Sequence, residues 1–365
     1  MYIQSIELSN YRNYRSLKME FDRGTNILFG DNAQGKTNIL ESIYLSGTSR
    51  SHRTARDREL IRFGQEEAHI RTNVRKNDLS YCIDIHIRQA KSKGIAINGV
   101  PVKKASDLFG LLGIIFFSPE DLNIVKNSPA ERRHFINAEL SQIDRIYLSD
   151  LSNYNKALNQ RNSLLKGILD HPELRETLDV WDGQLVSYGK RLIARRREFI
   201  ADLIPIVRGI HRKLSGGIED LLLAYEPNID DTFFEDELFR ARDRDMRMGT
   251  TTVGPHRDDL KLSIASVDIR RFGSQGQQRT CALSLKLAEI QMMEAKRGEK
   301  PILLLDDVLS ELDSNRQNYL LESINDIQTI ISCTGLDEFV KNKFSVHRVY
   351  EIFNGQAFLR EKIEN

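Results

Sequence analysis

The sequence is poor in cysteine, in long apolar runs and in net charge, and each shortage removes a class of protein. Only three cysteines, Cys82, Cys281 and Cys333, occur in 365 residues. An odd number set far apart builds neither a disulfide framework nor a metal site, and reads as the reduced thiols of a cytoplasmic protein. The longest apolar stretch, Leu108 to Phe117, is ten residues with two glycines. A bilayer-crossing helix needs about twenty, so no membrane anchor is expected. Met1 to Leu8 alternates apolar and polar like an edge strand and does not read as a signal peptide. Basic side chains number 53 against 52 acidic ones, a formal charge of +1. That balance excludes a polycationic nucleic-acid coat, so any DNA contact must be a local patch. Internal repeats and low-complexity linkers are absent as well.

What is present is a globular balance of 40% hydrophobic and 29% charged residues. The length exceeds what one compact core usually carries, so two lobes are expected. Residues 1 to about 105 read as short strands with one helix. Ala68 to Arg75 and Leu79 to Arg88 alternate with period two and predict a hairpin turning at Lys76-Asn77-Asp78. Asn98-Gly99 marks a second turn. From about Pro119 the texture becomes helical. Glu131 to Leu214 predicts three or more long helices, with a loop at Asp170-His171-Pro172 and a further break at Pro205. From about Asp220 strands return, and the last third alternates helix and strand like a parallel sheet with crossover helices. The expected segments are 1–118, 119–220 and 221–365.

Three motifs carry chemistry. Gly30-Asp31-Asn32-Ala33-Gln34-Gly35-Lys36-Thr37 is a complete phosphate loop, and Asn38 follows it. Thr25 to Phe29 reads as the strand feeding it, and Asn38 to Leu45 as the amphipathic helix leaving it. Gly30 and Gly35 let the backbone wrap a phosphate whose oxygens meet the loop amides. Lys36 would neutralise the terminal phosphates and Thr37 would ligate magnesium. The second motif, Pro301 to Asp307, reads as a buried parallel strand ending in two carboxylates, where open α/β sheets bind ligands. Asp306 would hold magnesium and Asp307 would polarise the attacking water.

The third motif is Gly273-Ser274-Gln275-Gly276-Gln277-Gln278-Arg279, opening a helix that ends near Gly298. It resembles the signature motif of ABC-type ATPases, whose serine and glycine bind the terminal phosphate of an ATP held by the opposite subunit. Ser274, Gly276 and Gln277 match, and Gln275 replaces the usual first glycine. Ser310 to Asp313 stands where that class places its dimer-contacting D-loop. The order of phosphate loop, signature, aspartates and D-loop is more specific than any piece alone. The expected fold is an α/β ABC-type P-loop ATPase head, with parallel and antiparallel sheets and an inserted helical lobe.

Longer stretches resemble one family more closely. Leu8 to Asn13, Phe117 to Leu122, Arg132 to Phe135, Val253 to Leu260 and the signature segment are similar to the RecF family of bacterial DNA-repair ATPases, in order along nearly the whole chain. The resemblance implies an ATP-dependent homodimer acting as a DNA clamp in recombinational repair and replication. It would bind single- and double-stranded DNA and junctions, and with RecO and RecR help to load RecA. A weak, DNA-stimulated ATP hydrolysis would release it. ATP and Mg2+ are the implied cofactors. Arg12 and Asn13 match a segment that contacts nucleotide in related heads. Ala33 replaces a common glycine, which is tolerable if its φ is negative. Glu120 lies near the Q-loop position, and Thr334 is the stand-in where transporters carry a switch histidine. Asp307 stands in place of the catalytic glutamate, which fits slow turnover.

For DNA the basic stretches Arg50 to Arg62, with Arg53 and Arg56, and Lys190-Arg191 with Arg195-Arg196-Arg197 are candidates. A solvated helix face is the alternative for each. The competing reading of the whole chain is an ABC-type ATPase that powers a non-DNA partner. The helical insertion and the missing histidine speak against it.

Overall fold

The computed structural model describes residues 1–104, 107–108, 110–168, 171–324, 326–335 and 345–360. Residue 109 of the long apolar run and residue 170 of the expected loop lie outside the described residues. The chain divides into two compact units, 1–121 with 289–365, and 122–288. The expected boundary at 220 is therefore corrected. The strands that follow it, and the start of the signature helix, fold with the helices before them.

The first unit begins with β1 (Tyr2–Tyr11), β2 (Tyr14–Glu20) and β3 (Thr25–Phe29), followed by α1 (Lys36–Thr48). Next come β4 (Glu67–Lys76), β5 (Leu79–Arg88), β6 (Lys91–Ile97), β7 (Val100–Pro101) and β8 (Ile114–Phe117). One antiparallel sheet has the order β2-β1-β4-β5-β6-β7. Its first strand sits between two partners and not at the edge its alternation suggested. The predicted hairpin turns through Asn77 and Asp78, both at positive φ, as its two-residue loop demands.

The second unit begins with α2 (Leu122–Lys126), α3 (Pro129–Ile143), α4 (Arg145–Gly167) and α5 (Leu178–Leu214). It continues through β9 (Leu221–Glu226), α6 (Phe234–Arg240), α7 (Arg242–Met248), β10 (Asp259–Ile264), β11 (Val267–Asp268) and α8 (Ile269–Phe272). Helix α9 (Gln275–Arg297) then returns the chain to the first unit. Pro205 does not break α5. Buried Ile200, Leu203 and Val207 flank it on the packed face, and their burial at about 1.5–3 kcal/mol each outweighs a proline cost of about 3 kcal/mol. The strands form one sheet in the order β11-β10-β9. Buried arginines tie the helices of this unit to its loops and strands. Arg132 pairs with Asp259, Arg161 with Asp182 and Asp245, and Arg196 with Asp258.

The remaining elements complete the first unit: β12 (Ile302–Asp306), α10 (Ser314–Ser323), β13 (Thr329–Cys333), β14 (Val346–Phe353) and β15 (Gln356–Arg360). They build the second sheet, β15-β14-β3-β13-β12-β8, parallel except for β15. Residues of both sheets and of α1, including Ile39, Leu40 and Ile43, share one apolar core. The phosphate-loop helix is thus buried between sheets, which fixes its N-terminus rigidly at the carboxyl ends of the parallel strands.

Candidate active site

Strand register brings the chemistry together. Asp306 on β12 is level with Ser332 on β13, and Ser332 is level with Leu28 on β3, just before the phosphate loop. Gly30 has φ +148, and a Cβ there would lie 2.3 Å from the Ile352 carbonyl oxygen. Gly35 has φ +112, and a Cβ there would meet Asn13 and Tyr14 within 2.6 Å. Both positions therefore demand glycine. Ala33 also takes the left-handed region, at φ +64. The condition of a negative φ is not met, and this alanine carries backbone strain of about 1 kcal/mol.

Lys36 is buried, and its Nζ donates to the Gly30 and Asp31 carbonyls at 2.5 and 2.8 Å. Burial lowers its pKa, against the pull of Asp307 and Asp306. The Thr37 hydroxyl donates to Asp306 Oδ1 at 2.9 Å, and the Ser332 hydroxyl donates to the same oxygen at 2.6 Å. Ser332 Oγ also accepts the Asp307 N–H at 3.2 Å. One serine therefore aligns both aspartates. Burial raises the Asp307 carboxyl above its ordinary value, helped by Asp306 and opposed by Lys36.

A cavity of about 460 Å3 opens over this array. Asn32, Ala33, Gly35, Lys36, Thr37, Asn38, Asp306 and Asp307 line it, as the motifs predict, and Glu120 joins them. Four further lining residues went unassigned in the sequence: His52, Ser118, Pro119 and Ser332. Ser332 could have been found as the polar residue at the tip of the strand beside the aspartates. Thr334, the expected stand-in, is not among the lining residues. Arg53, expected on DNA, lines the cavity instead and donates to Asn38 Oδ1 at 3.2 Å.

Arg12 and Asn13 stand behind the loop and do not line the cavity. Asn13 Nδ2 donates to the Gln34 carbonyl at 3.0 Å, and Asn13 Oδ1 accepts from Asn38 at 2.8 Å. Arg12 grips buried Glu41 through two nitrogens at 2.8 and 2.7 Å. Glu41 in turn accepts from Ser51 at 2.5 Å, and Ser51 Oγ accepts the backbone N–H groups of Arg53 and Thr54. Burial alone would raise the Glu41 carboxyl, but the Arg12 and Ser51 hydrogen bonds carry it below its ordinary value. The pair thus holds the loop that presents Arg53. His52 stacks on Phe116 with ring centroids 4.0 Å apart, and burial lowers its pKa to about 4.

The chain as a whole matches a known lineage. The model of the RecF/RecN/SMC N terminal domain matches residues 2–357. The DNA replication and repair protein RecF of Agathobacter rectalis is 62% identical over 98% of this chain and 99% of its own length. That of Lachnospira eligens is 54% identical over 98% and 99%. The chain belongs to the RecF family. A solved structure of the recombination mediator protein RecF with ATP, in the RecFOR pathway, aligns with TM-score 0.91 and 35% identity over 99% of this chain and 98% of that one. The Smc head domain of Pyrococcus furiosus aligns at TM-score 0.57 and 17% identity over 98% and 96%, a likeness of fold alone. The fold is the ABC-type ATPase head.

In the second unit, Ser274 is exposed at the start of α9. Its Oγ accepts the Gln277 N–H at 3.2 Å, and Gln277 Oε1 accepts the Ser274 N–H at 2.9 Å, a reciprocal cap. The Gln277 side chain is thereby turned onto its own helix start.

The basic stretch on α5 is largely neutralised where it stands. Arg196 is buried and bound to Asp258, Tyr147, Asn137 and the Pro255 carbonyl. It is excluded as a DNA contact by burial. Arg191 is bidentate to Asp150, Arg195 pairs with Asp144 and Glu198, and Lys190 approaches Glu235 at 4.0 Å. Arg56 pairs with Glu59 at 3.8 Å on an exposed face.

Proposed function

We propose that the chain is a DNA replication and repair ATPase of the RecF pathway, which binds ATP with Mg2+ and closes on it as a homodimer. The observation that carries this reading is the convergence of Lys36, Thr37, Asp306, Asp307 and Ser332 on one cavity, beside a loop whose Gly30 and Gly35 hold backbone angles and close contacts that only glycine allows. Thr37 and Asp306 supply hard oxygens suited to Mg2+, which would screen the phosphate charge when bound. No group of three or more metal-ligating side chains occurs among the described residues, as suits an ion held mainly by one carboxylate, one hydroxyl and phosphate oxygens.

The residues have separate tasks. The loop amides and Lys36 bind and orient the triphosphate, Lys36 leaving its loop carbonyls to do so. Arg53, which also lines the cavity and reaches Asn38, adds a second positive charge, its loop steadied by Glu41 and Arg12. Asp307, with its raised proton affinity, takes the proton of the attacking water. Ser332 keeps Asp306 and Asp307 in register. Ser274 of a second copy completes the site by donating its hydroxyl proton to the terminal phosphate. Its Oγ already accepts the cap bond, so the proton remains for this task.

The relatives' names carry DNA replication and repair and the RecFOR pathway, and the clamp, its junction preference and its part in loading RecA come to this chain through the resemblance alone. The test is sedimentation with ATP, ADP and neither. Wild type should dimerise with ATP alone, whereas Lys36→Met and Ser274→Arg should stay monomeric. A wild-type monomer at every nucleotide condition sinks the clamp.

A further inference from the structure

Behind the exposed tip of α9 a hydrogen-bonded chain runs into the interior of the second unit. Because the Ser274 backbone N–H only donates, the Gln277 amide is oriented with Oε1 toward it. Its Nε2 must then face outward from the cap, and it donates to Glu219 Oε1 at 2.9 Å. The other Glu219 oxygen lies 3.1 Å from His211 Nε2. His211 is fully buried in the last turn of α5, and its Nδ1 lies 3.1 Å from Ser284 Oγ. The Ser284 hydroxyl gives its own proton to the Thr280 carbonyl at 2.6 Å. It can therefore only accept from Nδ1. Nδ1 then carries its hydrogen toward Ser284, and Nε2 faces the Glu219 carboxylate.

This arrangement faces an electrostatic conflict. A lone carboxylate beside a helix N-terminus would compete with an incoming anion for the positive end of the dipole. With the buried His211 ring against one oxygen and the Gln277 amide donating to the other, Glu219 is held by contacts on both sides.

We propose that Glu219, backed by His211, is the positioning residue of the signature tip. It fixes Gln277, so that Gln277 holds the Ser274 backbone and the Ser274 hydroxyl proton points outward to a phosphate on a second copy. Glu219 itself touches no nucleotide. The inference rests on the proposed role of Ser274 in closing the dimer, and its test separates the two.

The experiment measures two quantities on the full chain: ATP affinity at protein concentrations too low to dimerise, and the dimer dissociation constant with ATP and Mg2+. Glu219→Ala should keep ATP affinity within about twofold and weaken the dimer about tenfold, the loss of one partly buried charged hydrogen bond. Glu219→Gln, which retains an oxygen for Gln277, should recover the dimer to within about threefold. A merely structural residue would show no such recovery and would lower ATP affinity and dimerisation together. If Glu219→Ala fails to fold, Gln277→Ala cuts the same link from the other end and must weaken the dimer equally. Wild-type dimerisation by either alanine variant, or an equal loss in Glu219→Gln, overturns the positioning role. Ser274→Arg is the control, because a Ser274→Arg protein that dimerises normally removes the reading beneath it.

Discussion

At the scale of single residues, charge in the sequence and charge available to a partner are different quantities. Arg191, Arg195 and Arg196 look alike in a row of basic letters. Yet Arg196 is 2% exposed and wholly bonded, whereas Arg191 has its side chain 48% exposed and one carboxylate partner. Their stabilities should separate accordingly. Arg196→Ala leaves Asp258 buried without its cation and should cost about 3–5 kcal/mol in urea unfolding. Arg191→Ala removes a half-exposed cation from the buried Asp150 carboxylate and should cost less, about 1–3 kcal/mol. Equal losses would mean that burial is misread. The phosphate loop, by contrast, was legible down to the residue, because only glycine at 30 and 35 and an amine and hydroxyl at 36 and 37 fit that chemistry. Ala33 was not, since a backbone angle leaves no trace in a side chain that tolerates either sign. Ser332 was missed for a related reason: a hydroxyl earns its role only from strand register, which no motif states.

At the scale of elements, periodicity recovered the hairpin, the signature helix and the aspartate strand. It misplaced what tertiary packing decides, the continuation of α5 through Pro205 and the unit boundary beyond 220. The segment from Gly254 to Arg257 shows how packing reaches between elements of one unit. His256 accepts from Tyr154 of α4 through Nδ1 at 2.7 Å and donates through Nε2 to the Thr251 carbonyl at 3.0 Å. That pairing needs the neutral ring, and burial lowers its pKa to about 4 from 6.5. The unfolded chain therefore binds a proton in this window that the folded chain refuses. Stability is complete above about pH 6.5 and falls as pH drops toward 4, by about 2 kcal/mol per such histidine between pH 7 and pH 5. His52 carries the same shift. His256→Gln should thus remove about half of the pH-linked loss contributed by the two histidines, measured as urea midpoints at pH 7 and 5. A slope unchanged from wild type would show that His256 is charged in the fold.

At the scale of the whole molecule, the split of the chemistry between two units bears on the proposed control by a second copy. The first unit carries the lysine-bearing loop and the aspartates, and the second carries the serine-led tip. Nucleotide bound by the first unit alone stabilises each chain by mass action, about 2.7 kcal/mol at a hundredfold excess over its dissociation constant. This stabilisation does not depend on protein concentration. The proposed closure of two copies on shared ATP would add a term that does. With saturating ATP and Mg2+, under conditions that block turnover, the thermal midpoint of wild type should rise by about 2 °C over a hundredfold increase in protein. Without nucleotide it should not move. Ser274→Arg should keep the concentration-independent gain from ATP and lose the other. A midpoint that rises with ATP but ignores protein concentration in wild type would mean that the loop binds its nucleotide alone, and that the exposed serine has no phosphate to meet.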